Sequence, residues 1–142
     1  GGPCRFRQTH PEHVETLCSV SRNQVLEQAV VFSTDPSMFE GLRAKQTEAL
    51  FNRVKMRRFG GDCYLYGQLA SGWIDLVAEA EMHFYDVAAL LTVVKTSGGV
   101  ISDWQGQPVR SGWDGTVLAS ATPELHRQVL TLFQDVRKGS TS

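Results

Sequence analysis

The sequence has little of what would direct a chain to nucleic acid or to a membrane. Its 142 residues carry 14 basic and 15 acidic side chains, a formal net charge of −1, so no basic excess favours nucleic acid and no charged run suggests a tail. The longest apolar runs fall well short of the ~20 residues that a membrane-spanning helix needs. We therefore expect neither nucleic acid nor a membrane among its partners.

Cysteine is also scarce. Cys4, Cys18 and Cys63 make an odd number without a Cys-x-x-Cys spacing, so neither a disulfide nor a zinc site is expected. His10 and His13 lie near the first two cysteines, but their spacing matches no zinc pattern, and solvated loop histidines are the better interpretation. Such sparse cysteine is typical of a reducing compartment, and we expect a cytoplasmic protein.

The chain begins at Gly1, without an initiating methionine or a signal peptide, which suggests that an upstream segment has been removed. Residues 1–28 are predicted to be a strand and loop segment left over from that missing part. Residues 29–138, within a chain of 42% hydrophobic content, suit one domain with a core of its own. Residues 139–142 are predicted to be a polar tail.

Strand and helix patterns alternate from residue 29 onward. Short apolar runs predict strands at 29–34, 75–79, 100–104 and 116–121. Helical patterns cover 37–55 and 63–71, a stretch from near Asp86 to Gly98, and 122–138. The first of these helices is predicted to begin with a capping box of Ser37 and Glu40, and Leu42 is one of its expected inward positions. This alternation predicts an α/β domain with a parallel or mixed sheet.

Asp86 is a carboxylate at the start of an otherwise apolar helix. Free backbone N–H groups and the helix dipole favour such a carboxylate by roughly 0.3–1 kcal/mol, so it can be a simple cap. It can also be a metal ligand at the mouth of a buried helix, where ligand groups gather in α/β domains. The residues around Asp86 leave both interpretations open.

Several motifs in order resemble one known family. They are residues 60–64 (GGDCY), 72–77 (GWIDLV), Glu79, 85–89 (YDVAA) and 98–104 (GGVISDW). Together they resemble the C-terminal half of the inositol monophosphatase family, with GGDCY and the Asp-Trp pair most similar to its histidinol-phosphate phosphatase branch. The resemblance covers about residues 20–137. It implies half of a layered αβαβα fold that hydrolyses small phosphate monoesters with Mg²⁺.

The resemblance also implies roles for individual residues. It makes Asp86 a Mg²⁺ ligand and Glu79 an acceptor for the alcohol or amine of the substrate. Gly61 would let the backbone approach the substrate closely. Asp62 stands where inositol phosphatases commonly have serine, and an acid there suits a cationic substrate such as histidinol phosphate. Arg58 is expected either to add positive charge at the site or to lie on the surface.

Each assignment has a structural alternative. Glu79 can be a surface acid at a strand end, and Asp62 can cap the helix that follows it. His83 is expected at the rim of the site. Two segments, Asp35-Pro36 and residues 113–116 (WDGT), echo parts of the family's Asp-Pro-x-Asp-Gly-Thr metal motif, but each lacks the other half and is predicted to be a turn.

The family's remaining metal carboxylates belong to an N-terminal half that is absent here. One aspartate does not hold two ions, so we expect little activity from this chain alone and a Mg²⁺-dependent phosphatase once the missing half or a partner chain completes it. A half-sheet left uncovered would favour association, including a homo-oligomer. Inositol 1-phosphate or another sugar phosphate is the alternative substrate. A non-catalytic binding or assembly domain, or an unrelated α/β domain, is the alternative to an enzyme.

Overall fold

The computed structural model describes residues 2–8 and 14–140. The strands are Arg5–Gln8 (β1), Val14–Leu17 (β2), Val30–Ser33 (β3), Met56–Phe59 (β4), Leu76–Glu79 (β5), Val100–Ser102 (β6) and Val117–Ser120 (β7). The α-helices are Gly41–Phe51 (α1), Tyr64–Ala70 (α2), Phe84–Thr96 (α3) and Pro123–Ser140 (α4). These elements confirm the predicted α/β class.

A five-stranded sheet in the order β4-β3-β5-β7-β6 organises the domain. Strands β4, β3 and β5 run parallel, whereas β5, β7 and β6 pair antiparallel, so the sheet is mixed as predicted. All four residues of β5 are buried, as the continuous apolar run 76–78 predicts for a central strand covered on both faces. This strand carries Glu79 to the edge where the candidate site lies.

Helices cover both faces of the sheet, and alternate residues of β5 and β7 point into two separate cores. Helices α1 and α4 pack over one core; its strand residues are Val31, Leu76, Ala78 and Leu118, and its helix residues include Leu50, Leu125, Val129 and Phe133. Helices α2 and α3 cover the other core; its members include Leu65, Tyr66, Leu69, Val77, Val87, Val94, Val117 and Ala119. Both faces of this sheet are therefore covered, and the expected exposure is confined to its edge, where β4 pairs on one side only.

The region before α1 differs from its prediction. Asp35, not Ser37, supplies the capping oxygen: its Oδ1 accepts from the Ser37 N–H at 2.8 Å, and residues 36–38 form a single 3-10 turn. Helix α1 begins only at Gly41, without a side-chain cap on Glu40, and ends at Phe51 instead of residue 55. The predicted capping box is thus wrong, because Asp35, two residues before Ser37, accepts the Ser37 N–H that the Glu40 side chain was expected to accept. Leu42, predicted to point inward, is exposed.

Strand β4 was not predicted from the sequence. Its residues, Met56-Arg-Arg-Phe59, are all exposed, because β4 is the edge strand and pairs only with β3. Residues 5–8 and 14–17 pair antiparallel with each other and form a hairpin apart from the main sheet. His10 and His13 lie outside the described residues, and the proposed boundaries at residues 28 and 138 remain predictions.

Within the described part of the chain, no helix combines the length and hydropathy needed to traverse a bilayer.

Candidate functional site

A cleft of about 460 Å³ opens where β5 ends and α3 begins. Its walls come from the ends of β3 and β5, the start of α2 and the start of α3; the lining residues are Thr34, Met38, Asp62, Cys63, Glu79, Ala80, Glu81, Met82 and Asp86. The carboxyl ends of strands in open α/β sheets are a common position for ligand sites. The structure therefore brings three of the predicted residues, Asp62, Glu79 and Asp86, into one cavity.

Glu79 is the buried acid of this cleft. Only 1% of its surface is exposed, so it is not the surface acid that the structural alternative describes. Its Oε1 accepts a hydrogen bond from the Thr34 hydroxyl, and its Oε2 accepts one from the Tyr66 hydroxyl. Two donors on two elements hold the carboxylate in one orientation, as is needed for a group that must meet a substrate at a defined position.

Burial raises the pKa of Glu79 above its ordinary value of 4.5, and the nearby Asp62 carboxylate raises it further, while the bonds from Thr34 and Tyr66 act in the opposite direction. The pKa of Tyr66 is raised well above its usual range by burial and by the Glu79 charge. The phenol therefore stays protonated and donates to the acid. Neither Thr34 nor Tyr66 was predicted, since an isolated threonine and a tyrosine on a buried helix face carry no sequence signal for this contact.

Asp86 is both a helix cap and a residue of the cleft. It is the third residue of α3, and its Oδ2 accepts the His83 backbone N–H at 3.0 Å. Its Oδ1 accepts no hydrogen bond from the residues that the structure describes, and the side chain lines the cavity. The capping interpretation is thus confirmed, and it leaves one carboxylate oxygen for a ligand in the cleft.

The turn before α2 brings Asp62 to the cleft in a strained conformation. Gly61 has φ +119°, and a Cβ there would lie 2.7 Å from a methyl carbon of Leu65, so only glycine fits. Asp62 follows with φ +47° and is exposed. Cys63 is the cap residue of α2 and no side chain bonds the helix start, so the capping alternative for Asp62 is wrong.

Backbone strain is concentrated at this cleft. Among residues 2–8 and 14–140, the non-glycine residues with positive φ are Asp62 and Glu81, at +47° and +58°, and both line the cavity. Strained non-glycine residues cluster at ligand sites because only a functional constraint retains them. This pattern is independent of any motif and points to the same cleft.

Other candidates lie outside the cavity. Arg58 is exposed on the edge strand β4, where its Nη1 donates to the Arg57 carbonyl at 2.9 Å, and it does not line the cleft. His83 is exposed and stacks on Tyr85 with ring centroids 5.2 Å apart. Asp114 accepts from the Thr116 N–H at 2.9 Å, which confirms that residues 113–116 form a turn.

The charge of the cleft is of one sign. Four carboxylates line it, from Asp62, Glu79, Glu81 and Asp86, and no lysine, arginine or histidine is among its lining residues. The described residues hold no cluster of three or more acids, histidines or cysteines with the geometry of a metal site. The cleft offers oxygen ligands to a cation, but it does not enclose one.

Comparison with known proteins agrees with this fold. Residues 4–138 match the model of the inositol monophosphatase family. A curated relative from Arabidopsis thaliana, the chloroplastic bifunctional phosphatase IMPL2, is 35% identical over an alignment of 114 residues that covers 74% of this chain and 32% of that protein.

Solved structures show the same architecture. An inositol monophosphatase from Zymomonas mobilis superposes with a TM-score of 0.81 at 28% identity, covering 92% of this chain and 52% of its own. A Thermotoga maritima IMPase gives a TM-score of 0.74 at 20% identity, over 95% of this chain and 52% of its own. The chain thus spans about a third of the curated relative and about half of these structures. It belongs to the inositol monophosphatase family.

Proposed function

We propose that this chain is the substrate-facing part of a Mg²⁺-dependent phosphomonoesterase that acts on histidinol phosphate. The observation that carries the proposal is a cleft lined only by acidic charges, in which Glu79 is buried and held by Thr34 and Tyr66. Membership of a phosphatase family supports the reaction class. The charge of the cleft supports the choice of substrate.

An acidic cleft repels a phosphate group, so positive charge must come from elsewhere. Mg²⁺ prefers oxygen ligands and binds through one or two carboxylates together with substrate phosphate. Asp86 offers one such oxygen, and the described residues provide no complete set of ligands. The fit is partial. Asp86 would hold the ion jointly with ligands from an N-terminal half of the kind that the family has, and the bound ion would neutralise phosphate oxygens.

The organic part of the substrate would meet Asp62 and Glu79. Two carboxylates close enough for one to raise the pKa of the other favour a cation between them, because the cation relieves their mutual repulsion. Histidinol phosphate carries an amine and an imidazole. Inositol phosphate is neutral apart from its phosphate and would gain only hydrogen bonds to Glu79, which makes it the alternative.

A non-catalytic binding or assembly domain is the second candidate. The observation that favours it is the lack of a complete metal-ligand cluster in the described residues. Under this alternative the fold and the cleft persist, and a partner chain supplies no catalytic group.

The test is Mg²⁺-dependent phosphate release from histidinol phosphate, measured on this chain alone and on the chain extended by a family N-terminal half. We expect activity only in the extended protein, and a loss of at least about a hundredfold in Asp86→Asn, as is typical when a charge-stabilising catalytic group is removed. Asp135→Asn, an exposed acid on α4, is the matched control and should leave the rate unchanged. An extended, folded protein that releases no phosphate would favour the binding domain instead.

A further inference from the structure

Cys4 and Cys18 face each other at the open end of the β1–β2 hairpin. The pairing of Arg5 with Leu17 is the last pair of the two strands, and the next step outward brings Cys4 opposite Cys18. The Cys18 N–H donates to the Cys4 carbonyl at 2.8 Å, and the neighbouring Cys18 helps to raise the pKa of the Cys4 thiol, so the two side chains lie close together. The spacing of the cysteines does not reveal this, because the hairpin creates the contact.

The backbone geometry at this position suits a disulfide. Directly opposed residues of an antiparallel pair have Cα atoms about 4.5–5.5 Å apart. Disulfides join Cα atoms about 4.4–6.8 Å apart, with the commonest values near 5.5–6 Å. Both cysteines are reduced and partly exposed, so a small oxidant can reach them. The two thiols can therefore be joined without rearranging the hairpin.

The pair lies where the hairpin meets the main domain. The Cys18 thiol is 4.0 Å from the Ser71 hydroxyl, just after α2, and the Val20 N–H donates to the Ser97 carbonyl, just after α3, at 3.1 Å. A Cβ on Gly72 would lie 2.8 Å from the Ser19 carbonyl oxygen, so residues 18–20 are packed tightly on the domain. A bond between Cys4 and Cys18 would thus join the start of β1 to a segment that already packs on the main domain.

We propose that Cys4 and Cys18 are a redox modification site, forming a reversible disulfide that fastens the hairpin to the domain. The oxidant is a small-molecule disulfide such as oxidised glutathione. The Cys18 thiolate attacks one sulfur of the oxidant, forming a mixed disulfide and releasing one glutathione thiolate; the Cys4 thiolate then attacks the Cys18 sulfur and releases the second. Two protein thiols lose two protons and two electrons, and the oxidant is reduced to two glutathione molecules.

The environment of Cys4 supports this order of events. Burial raises the pKa of the Cys4 thiol, and the adjacent Cys18 raises it further. Because the thiolate is the reactive form, Cys4 is a poor first nucleophile, and it reacts once the mixed disulfide is held next to it. The pair lies beyond the C-terminal ends of α2 and α3, whereas the acidic cleft lies at their N-terminal ends. Oxidation should therefore leave the cleft unchanged.

The test is to equilibrate the chain in glutathione buffers of increasing oxidised fraction, block free thiols with an alkylating reagent and measure the intact mass. We expect the number of alkylated thiols to fall from three to one. Trypsin should then release residues 1–5 joined to residues 8–22, and a reductant should separate them. Cys63→Ser is the matched control, because Cys63 is exposed and lies at the cleft, and it should not alter the cross-link.

Cys4→Ser and Cys18→Ser should each abolish the cross-link, and Cys4→Ser should leave a glutathione adduct on Cys18. A cross-link that includes Cys63, or glutathione adducts on all three cysteines of the unmodified chain, would overturn the proposal. Hydrogen exchange of residues 5–8 and 14–17 supplies a second readout. It should slow in the oxidised form, and an unchanged exchange rate would contradict the fastening role. The outcome is independent of any phosphatase activity.

Discussion

The helices on the two faces of the five-stranded sheet differ in how much of their apolar surface they bury. On one face α4 buries Leu125, His126, Val129 and Phe133, and its other positions are mostly polar. On the other face α3 is apolar along most of its length, yet among its residues only Val87 and Val94 are fully buried. Large apolar side chains of α2, of α3 and of the turn after α2 remain exposed, among them Tyr64 at 59%, Trp73 at 61% and Tyr85 at 79%.

A helix that is apolar all round is normally buried. The surface of α3 and its neighbours therefore has the character of an interface, whereas the surface of α4 has the character of an exterior. The acidic cleft opens at the start of α3, on the face where large apolar side chains stay exposed.

The largest expected effect on the unfolding free energy is on the face covered by α4. Phe133→Ala should cost about 3–5 kcal/mol of unfolding free energy, because the ring is fully buried and packs 4.6 Å, centroid to centroid, from Trp104. Urea unfolding followed by circular dichroism measures the loss. Tyr85→Ala, on the exposed surface of α3, is the control and should change stability by less than about 0.5 kcal/mol. Similar losses in the two variants would remove the distinction between the faces.

The second prediction concerns His126, which is buried between the two serines that it contacts, Ser102 at 2.8 Å and Ser120 at 2.9 Å. Burial lowers its pKa from 6.5 to about 4. The neutral imidazole therefore makes its full contribution to the unfolding free energy above pH 6.5. That contribution is lost as the pH falls towards 4, and the loss is roughly 3 kcal/mol. His126→Gln should remove this pH dependence from the unfolding free energy, while His83→Gln, an exposed histidine, should retain it. Equal slopes in all three proteins would contradict the assignment.

Glu79, on the other face, should change the unfolding free energy with pH in the opposite direction. Its pKa in the folded chain is raised above 4.5, so its contribution is fully present below that pH and is lost as the pH rises through the folded value. Glu79→Gln should flatten this decline relative to the unmodified chain, and Glu48→Gln, an exposed glutamate on α1, should not. We expect a smaller effect than for His126, because Thr34 and Tyr66 oppose the desolvation. A slope unchanged by Glu79→Gln would show that the carboxylate is not desolvated.

The smallest effect on stability should come with a change in association. Tyr85→Ser and Trp73→Ser together should leave the unfolding free energy nearly unchanged but weaken self-association of the isolated chain, since both remove exposed apolar surface. Sedimentation velocity over a range of concentrations measures this. Gln134→Ser, on the exposed surface of α4, is the control. Self-association that is equally strong in all the variants would place the contact elsewhere.

Local patterns in the sequence predicted the elements that bury continuous apolar runs, such as β5, and the cap of the last helix by Thr122, whose hydroxyl accepts the Leu125 N–H. They did not predict β4, whose exposed Met-Arg-Arg-Phe run becomes a strand only through pairing with β3. The capping box of Ser37 and Glu40 failed because Asp35 accepts the Ser37 N–H that the Glu40 side chain was expected to accept.

For the site, the resemblance brought Asp62, Glu79 and Asp86 together, and the structure places all three at one cleft. Residues that act through another side chain were missed. Thr34 and Tyr66 are far from Glu79 in sequence, and only the packing of β3 and α2 against β5 joins them. Arg58 was kept as a candidate because it precedes the glycine pair, but the strand carries it away from the cleft.

The central proposal is that the Asp62 and Glu79 carboxylates of the cleft select a cationic substrate. The most direct measurement is the ratio of kcat/KM for histidinol phosphate to that for inositol 1-phosphate in the extended protein and its Asp62→Asn variant. The account predicts a ratio above one that falls by about tenfold in the variant, as expected for ~1.4 kcal/mol of charge interaction, with little change for inositol phosphate. A preference for inositol phosphate, or a ratio that Asp62→Asn does not alter, would contradict it.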